Sequence, residues 1–287
     1  MEMIHRHNIL IVGLGLMGGS YAKALSRMGY HVFAIDWNAE SIDYAISEGI
    51  IEDGAVYPDE KLVGSADIVI FALYPRVLIE WLKENQHLFK PGIYITDVTG
   101  VKGSIVYEVQ GLLRDDVEFI AAHPMAGREV YGVKNADDKM FRDANYIVVP
   151  TDKNTPEAIE WCRTLGYILG TRRVSVLSPE EHDEMIAYVS QLTHCIAVSL
   201  MTCNDNPHLV DYTGDSFRDL TRIARINEDM WSELFFMNKE KLTREMGEFI
   251  DELTKMKEMI ENEDAESLKE KMRISTARRA LFDKPKK

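Results

Sequence analysis

The feature that most constrains this chain is a short apolar run, Asn8–Val12, that opens directly into Gly13-Leu14-Gly15-Leu16-Met17-Gly18 and then into an amphipathic stretch. Three glycines at this spacing have separate physical tasks. Gly13 permits a tight turn, Gly15 lets a phosphate approach the backbone closely, and Gly18 lets the following helix pack near the strand. That helix turns its free N–H groups and the positive end of its dipole toward the turn, which makes an anion site. A second apolar run, His31–Ile35, ends at Asp36, eighteen positions past Gly18. A carboxylate there accepts hydrogen bonds from a ribose diol and repels a 2′-phosphate, and Trp37-Asn38 supplies no compensating cation. A glycine pattern alone is weak evidence. In this strand–turn–helix–strand setting it points to a dinucleotide, NAD rather than NADP, held by Gly13, Gly15, Leu16, Met17, Gly18 and Asp36.

Further apolar runs at Ile68–Ala72, Ile93–Thr96, Glu118–Ala121, Ile147–Val149 and Arg173–Leu177 alternate with helical patterns at Gly18–Met28, Ala39–Glu48, Val77–Gln86, Gly103–Leu113 and Pro156–Leu169. Strands without polar alternation, separated by helices, form a parallel sheet covered on both faces. The expected class is α/β: a Rossmann-type, doubly wound, mostly parallel sheet over residues 1–177, then an all-helical domain over 178–287. Ser178 suits an N-cap, and Pro179 suits a first helical turn. Met185–Cys203 contains no Asp, Glu, Lys or Arg, close to the length of a membrane span. Ser190, Gln191, Thr193, His194, Ser199 and Thr202 make it a poor one, so a helix buried within the protein or between subunits is expected. Asn204-Asp205-Asn206-Pro207 breaks it, a helical pattern follows at Phe217–Ile226, and Glu228–Glu261 reads as one long amphipathic helix. A final helix, Ala265–Leu281, leads into the basic tail Asp283–Lys287, which is expected to fray. A helical domain this small cannot cover an uncharged helix alone, so a homodimer is expected.

Acidic residues number 47 against 33 Lys plus Arg, a net charge of −14. This argues against nucleic-acid backbones and anionic membranes as partners. It leaves room for an anionic small molecule held by a few local cations. The three cysteines, Cys162, Cys195 and Cys203, form no CxxC pair and read as reduced buried thiols of a cytoplasmic protein, with no metal site. The N-terminal apolar run is too short for a signal peptide.

Two clusters carry chemistry beyond the glycine turn. In Ala122-His123-Pro124-Met125-Ala126-Gly127-Arg128-Glu129 a histidine follows a strand, at the carboxyl end of a parallel sheet where ligands of such folds bind. Such a histidine can accept a proton from a hydroxyl while hydride leaves the same carbon; the bland alternative is a histidine packed at a strand end. In the helical half, Gln191 and His194 share one face of an apolar helix and need partners. Arg218 and Arg222 flank Asp219, and either could clamp a carboxylate through a bidentate pair or form a surface salt bridge.

The combination of GLGLMGGS, DVTGVK at Asp97–Lys102, HPMAGRE at His123–Glu129, SQLTH at Ser190–His194 and FRDLTRIA at Phe217–Ala224, followed by Trp231, resembles the prephenate/arogenate dehydrogenase family of tyrosine biosynthesis over nearly the whole chain. The resemblance implies a nucleotide-binding domain followed by a helical dimerisation domain; with the last helix expected near the end of this sequence, no appended regulatory domain or fused mutase is expected. It implies oxidative decarboxylation of prephenate by NAD to 4-hydroxyphenylpyruvate, CO2 and NADH. By the same resemblance His123 is the catalytic histidine, Arg222 holds a substrate carboxylate, His194 lines the substrate site, and Trp231 helps close it, from this chain or a neighbouring subunit. Thr99 or Gly100 stands beside the substrate hydroxyl. Gln191 stands where many relatives have histidine, and Arg128 reaches a second carboxylate or points to solvent. Neither Gln191 nor His194 offers a carboxylate for the ammonium of arogenate, which favours prephenate. A 3-hydroxyacid-type dehydrogenase and a non-catalytic NAD-responsive regulator are the alternatives; neither calls for His123 and Arg222 in these motifs.

Overall fold

The computed structural model describes residues 7–283, so residues 284–287 of the expected frayed tail lie outside the described part. Two compact units are present, residues 1–238 and residues 239–287.

The first unit is built on a six-stranded, wholly parallel sheet in the order β3-β2-β1-β4-β5-β6. Its strands are β1 (Asn8–Val12), β2 (His31–Ile35), β3 (Asp53–Ala55), β4 (Ile68–Phe71), β5 (Ile93–Asp97) and β6 (Val117–Phe119). The connecting helices are α1 (Leu16–Arg27), α2 (Ala39–Ser47), α3 (Glu60–Ser65), α4 (Pro75–Asn85) and α5 (Gly103–Leu112). Both sheet faces are covered. Ile9, Ile11, Ile68 and Ile70 enter one core with Leu25, Ile42 and Ala45, whereas Leu10, Val12, Val69 and Phe71 enter another with Leu78, Leu82 and Ile105. This is why these runs lack polar alternation. β3 and α3 escape the sequence reading: three residues, Asp-Gly-Ala, carry no strand signal by themselves and are a strand only through pairing with β2, with Asp36 N donating to the carbonyl oxygen of their last residue, Ala55.

The expected strand Glu118–Ala121 is two strands. The chain leaves the parallel sheet at Ile120 and continues as β7 (Ala121–Pro124) in a second sheet, with β8 (Asn145–Val149) antiparallel to it and β9 (Arg173–Val176) parallel to β8. His123 therefore stands within a strand rather than after one, paired with Ile147. It remains at the carboxyl end of the first sheet, because Ala122 N donates to Asp97 Oδ1 over 3.3 Å. α6 (Pro156–Ile168) precedes β9.

After Ser178 the unit is helical. Ser178 caps α7 (Pro179–Ile186) through a reciprocal pair with Glu181. α7 runs through a π-helical turn, Ala187–Leu192, into α8 (Thr193–Thr202). Among the described helices only Pro179–Thr202 is long and apolar enough to cross a membrane, and 28% of an apolar 18-residue stretch within it is buried inside the chain. α9 (Leu209–Tyr212), α10 (Asp215–Thr221) and α11 (Glu228–Met237) complete the unit. The expected helix Glu228–Glu261 is broken at Asn238, whose backbone leaves the helical range (φ −118°, ψ 26°) while its side chain bonds to Asp183 and Gln191. The second unit is two helices, α12 (Lys239–Glu261) and α13 (Ala265–Ala280). Of the cysteines, all unpaired, only Cys162 is fully buried and Cys203 is exposed, so the expectation of three buried thiols fails.

Candidate active site

The glycine turn crosses between β1 and its neighbours at the point where strand order reverses, the place where open α/β sheets bind ligands. Gly13 is left-handed (φ +98°), and a Cβ on it would stand 2.6 Å from the Ala72 carbonyl oxygen. A Cβ on Gly18 would stand 1.8 Å from the Gly13 carbonyl oxygen, so helix and turn are in contact there. Gly15 differs: nothing lies within 4 Å of where its Cβ would be. The fold does not need that glycine, and the open space over the helix N-terminus is what a phosphate requires. α1 has no side-chain cap and no acidic residue in its first turn, so its N–H groups and dipole are uncompensated. Asp36 accepts from Leu14 N (2.6 Å) on one oxygen and from Asn38 N (2.8 Å) on the other, which fixes the carboxylate and leaves lone pairs for a diol. These residues fit NAD.

β5 ends at Asp97, which is fully buried beside fully buried Lys102, with Nζ 2.6 Å from Oδ2. Thr99 N and its hydroxyl also bond to Asp97 Oδ2, and Lys102 Nζ lies 3.1 Å from Thr99 Oγ1. Burial pushes the Lys102 ammonium down, and Asp97 opposes that. The Thr99 hydroxyl is thus engaged inward, and Gly100 lies against Leu234 of α11.

α7 brings two polar residues to its buried face. The Asp183 carboxylate accepts from Lys102 N and Gly103 N, each at 2.8 Å, and so caps α5. His182 Nδ1 lies 2.8 Å from Asp183 Oδ1, and His182 Nε2 lies 2.9 Å from His123 Nδ1. Burial, the facing His182 and Lys102 hold His123 well below the usual imidazole range. Burial also pushes His182 down, against the pull of Asp183. Burial alone would raise the Asp183 carboxyl; the bond from His182 and the two backbone donors outweigh it and hold it low.

A second group lies along α8 and α11. His194 donates through Nδ1 to the Ser190 carbonyl oxygen (2.9 Å) and stacks on Trp231 of the same chain, ring centres 3.7 Å apart. Burial pushes the His194 imidazole down; the Ser190 carbonyl opposes this, and Glu129 and Arg222 act on it in opposite senses. Arg222 Nη1 is paired with Glu129 Oε1 at 2.6 Å. Gln191 is 1% exposed and braces the helices, its Nε2 donating to the Leu234 carbonyl oxygen while its Oε1 accepts from Asn238. Trp231 and Leu234 lie one turn apart on α11 and Asn238 just past its end, so this part of the chain touches both groups. Arg128 donates to the Asn135 carbonyl oxygen and lies near Asp137, anchoring its own loop rather than standing free for a carboxylate.

The structure brings His123 against His182, and sets His194 against Trp231 with Glu129 and Arg222 nearby, while the side chains of Thr99, Gln191 and Arg128 bond to protein partners. Sequence reasoning missed Asp97, Lys102, His182, Asp183, Glu129 and Asn238. One signal was present: His182 and Asp183 occupy the stripe between buried Pro179 and Ile186 at helical spacing, where apolar residues belong. Among the described residues no group of three or more His, Cys, Asp or Glu is arranged to hold a metal ion.

Two family models match: the prephenate dehydrogenase nucleotide-binding domain over residues 21–175 and the prephenate dehydrogenase dimerization domain over residues 178–274. The chain is 33% identical over 272 residues to the prephenate dehydrogenase of Bacillus subtilis (strain 168), covering 92% of this chain and 72% of that one. It is 27% identical to the cyclohexadienyl dehydrogenase of Zymomonas mobilis, covering 96% of each. The crystal structure of prephenate dehydrogenase from A. aeolicus in complex with hydroxyphenyl propionate and NAD+ superposes with a TM-score of 0.90 at 32% identity, over 98% of this chain and 100% of that one.

Proposed function

The chain belongs to the prephenate dehydrogenase family of NAD-dependent oxidoreductases, and on that premise we propose that it converts prephenate and NAD to 4-hydroxyphenylpyruvate, CO2 and NADH in tyrosine biosynthesis. The observation that carries this reading is His123, held by a second histidine beside the carboxyl end of β5. NAD, when bound, supplies the hydride acceptor. The protein's part is to bind, orient and polarise. Gly15, Leu16, Met17 and Gly18 present N–H groups to the pyrophosphate, Gly13, whose own N–H bonds to the Ile35 carbonyl oxygen, makes the turn beneath it, and Asp36 takes the ribose diol. His123 Nε2 accepts a hydrogen bond from the ring hydroxyl and stabilises the positive charge that develops at that carbon. Loss of the ring carboxylate as CO2 makes the ring aromatic, which drives the reaction. Arg222 binds a substrate carboxylate after parting from Glu129, neutral His194 and Trp231 line the ring, and Thr99 with Asp97 and Lys102 shapes the wall behind the hydroxyl. Gln191 supports these helices and Arg128 supports the loop after β7.

A second substrate is favoured by one observation. Glu129 is a carboxylate beside Arg222 and His194, and it could receive the ammonium of arogenate. NADH absorbance with prephenate and with arogenate, in wild type and His123→Ala, tests both readings. No NADH from either substrate sinks the proposal; at least tenfold higher efficiency on arogenate reverses the substrate preference; an active His123→Ala removes the assigned role.

We also infer a cytoplasmic homodimer, divided functionally near residue 178 into a dinucleotide-binding part and a helical substrate and dimerisation part. Met185, Tyr188, Val189 and Met201 of the uncharged helix are 49%, 60%, 49% and 46% exposed, an apolar face suited to a second copy. The match to a dimerization-domain model over the same residues supports this. A monomer in sedimentation at micromolar concentration would count against it.

A further inference from the structure

We propose that His182 is a positioning residue for His123, and that the proton drawn from the substrate hydroxyl is shared by the His123–His182 pair with Asp183 as its counter-charge. The inference rests on the reading of His123 as the acceptor and adds what makes it one.

The hydrogen-bond chain has a direction. Asp183 is held by Lys102 N and Gly103 N, and its remaining close partner is His182 Nδ1 at 2.8 Å. A carboxylate with these donors is acceptor only, so His182 carries its proton on Nδ1. A neutral His182 then has a bare Nε2, and that atom faces His123 Nδ1 at 2.9 Å. Two bare nitrogens at that distance would set lone pair against lone pair. His123 must therefore carry its proton on Nδ1, which leaves Nε2 bare and able to accept. Asp183 thus selects the tautomer of a histidine it does not touch.

The charges favour sharing the proton. The groups facing the pair are Asp97 at the end of β5, Lys102 at the start of α5, and Asp183 from α7 itself. Asp97 and Lys102 compensate each other at 2.6 Å, so Asp183 is the excess charge of a buried cluster. Burial keeps a standing charge off both rings, and Asp183, bonded to His182, offsets the positive charge while the substrate's proton is on the pair. The transfer balances without electron transfer. The substrate O–H bond breaks as the bond to His123 Nε2 forms; His123 Nδ1–H breaks as the bond to His182 Nε2 forms. His182 keeps its Nδ1 proton on Asp183, which stays ionised. After the ring becomes aromatic the two transfers reverse and the phenol keeps its proton.

The test uses the full chain, with His182→Leu and His182→Gln. Leucine removes the acceptor for His123 Nδ1–H, whereas a glutamine carbonyl restores an acceptor but cannot take a proton. In wild type, 15N spectra of histidine-labelled protein near neutral pH are expected to show a pyridine-like Nε2 and a pyrrole-like Nδ1 at His123. In His182→Leu, Nε2 of His123 becomes predominantly protonated and kcat falls by at least about 100-fold, with NAD affinity retained as the check on folding. In His182→Gln the wild-type tautomer returns, with about tenfold of the lost kcat. A protonated Nε2 at His123 in wild type, or a folded His182→Leu within about threefold of wild-type kcat, overturns the proposal. The tautomer measurement needs no substrate, so an enzyme inactive on prephenate would fault the substrate reading while the spectra still decide this one.

Discussion

Lys102 and Asp97 give the sharpest quantitative prediction. Both side chains are 0% exposed, with Nζ 2.6 Å from Oδ2. Lys102→Met removes the ammonium and leaves a carboxylate with only neutral donors: Thr99 N at 3.0 Å, the Thr99 hydroxyl, and Ala122 N at 3.3 Å. Deleting one partner of a buried ion pair costs about 3–5 kcal/mol, because the other charge remains buried and uncompensated. The surviving donors retain part of the compensation, which places the loss near the lower end, about 3 kcal/mol. That corresponds to roughly 6–12 °C in the melting temperature of a unit this size. The comparison variant is Lys90→Met, whose pair with Asp67 is 37% and 26% exposed. Its expected cost is about 0–1 kcal/mol. Urea unfolding near neutral pH, followed by far-ultraviolet circular dichroism, reads both. The double variant Lys102→Met, Asp97→Asn should recover more than half the loss, because the unpaired charge goes with its partner. If Lys102→Met unfolds within about 1 kcal/mol of Lys90→Met, the reasoning about the buried charge is wrong.

Three further outcomes follow from particular atoms. Gly15→Ala should fold within about 0.5 kcal/mol of wild type yet lose at least about tenfold in NAD affinity by calorimetry, because its Cβ occupies only ligand space. Gly18→Ala should instead lose at least about 2 kcal/mol of stability, since its Cβ meets the Gly13 carbonyl oxygen. Glu129→Gln frees Arg222 from a partly exposed pair, so KM for prephenate should fall by up to about fivefold; a rise in KM would show that Glu129 helps hold substrate. His123 and His182 are both held below the imidazole value of 6.5 in the folded state. Groups depressed in this way stabilise the fold fully above the unfolded value, and that contribution is lost as pH falls through the folded values. Urea midpoints should therefore be level at neutral pH and fall below about pH 6, with a shallower fall in His123→Gln.

The parallel sheet was legible because each buried strand carries its own evidence: Ile9 and Ile11 serve one core, Leu10 and Val12 the other. Local signals also placed the glycine turn and the Ser178 cap. The errors fall where pairing partners, not local residues, decide. Asp53–Ala55 pairs through a neighbouring backbone, and Val117–Pro124 divides between two sheets although nothing in its sequence marks Ile120. Glu228–Glu261 reads as one amphipathic helix, and Asn238 breaks it because its side chain is taken by Asp183 and Gln191 from distant parts of the chain.

The same distinction holds for the site. Residues close in sequence, the Gly13–Gly18 turn with Asp36, determined the cofactor class, because that chemistry depends on short spacings, whereas the HPMAG and DLTRIA segments pointed to His123 and Arg222 through their resemblance to a known family. The sequence could not show that His182 and Asp183 stand behind His123, 59 residues away, that Lys102 lies buried on Asp97, or that Glu129 occupies Arg222 from 93 residues away. Those contacts exist only once β5, the start of α5, β7, α7 and the turn after α10 converge. Burial then fixes protonation and tautomer, quantities that depend on the dielectric surroundings and on partners far along the chain rather than on the residue itself.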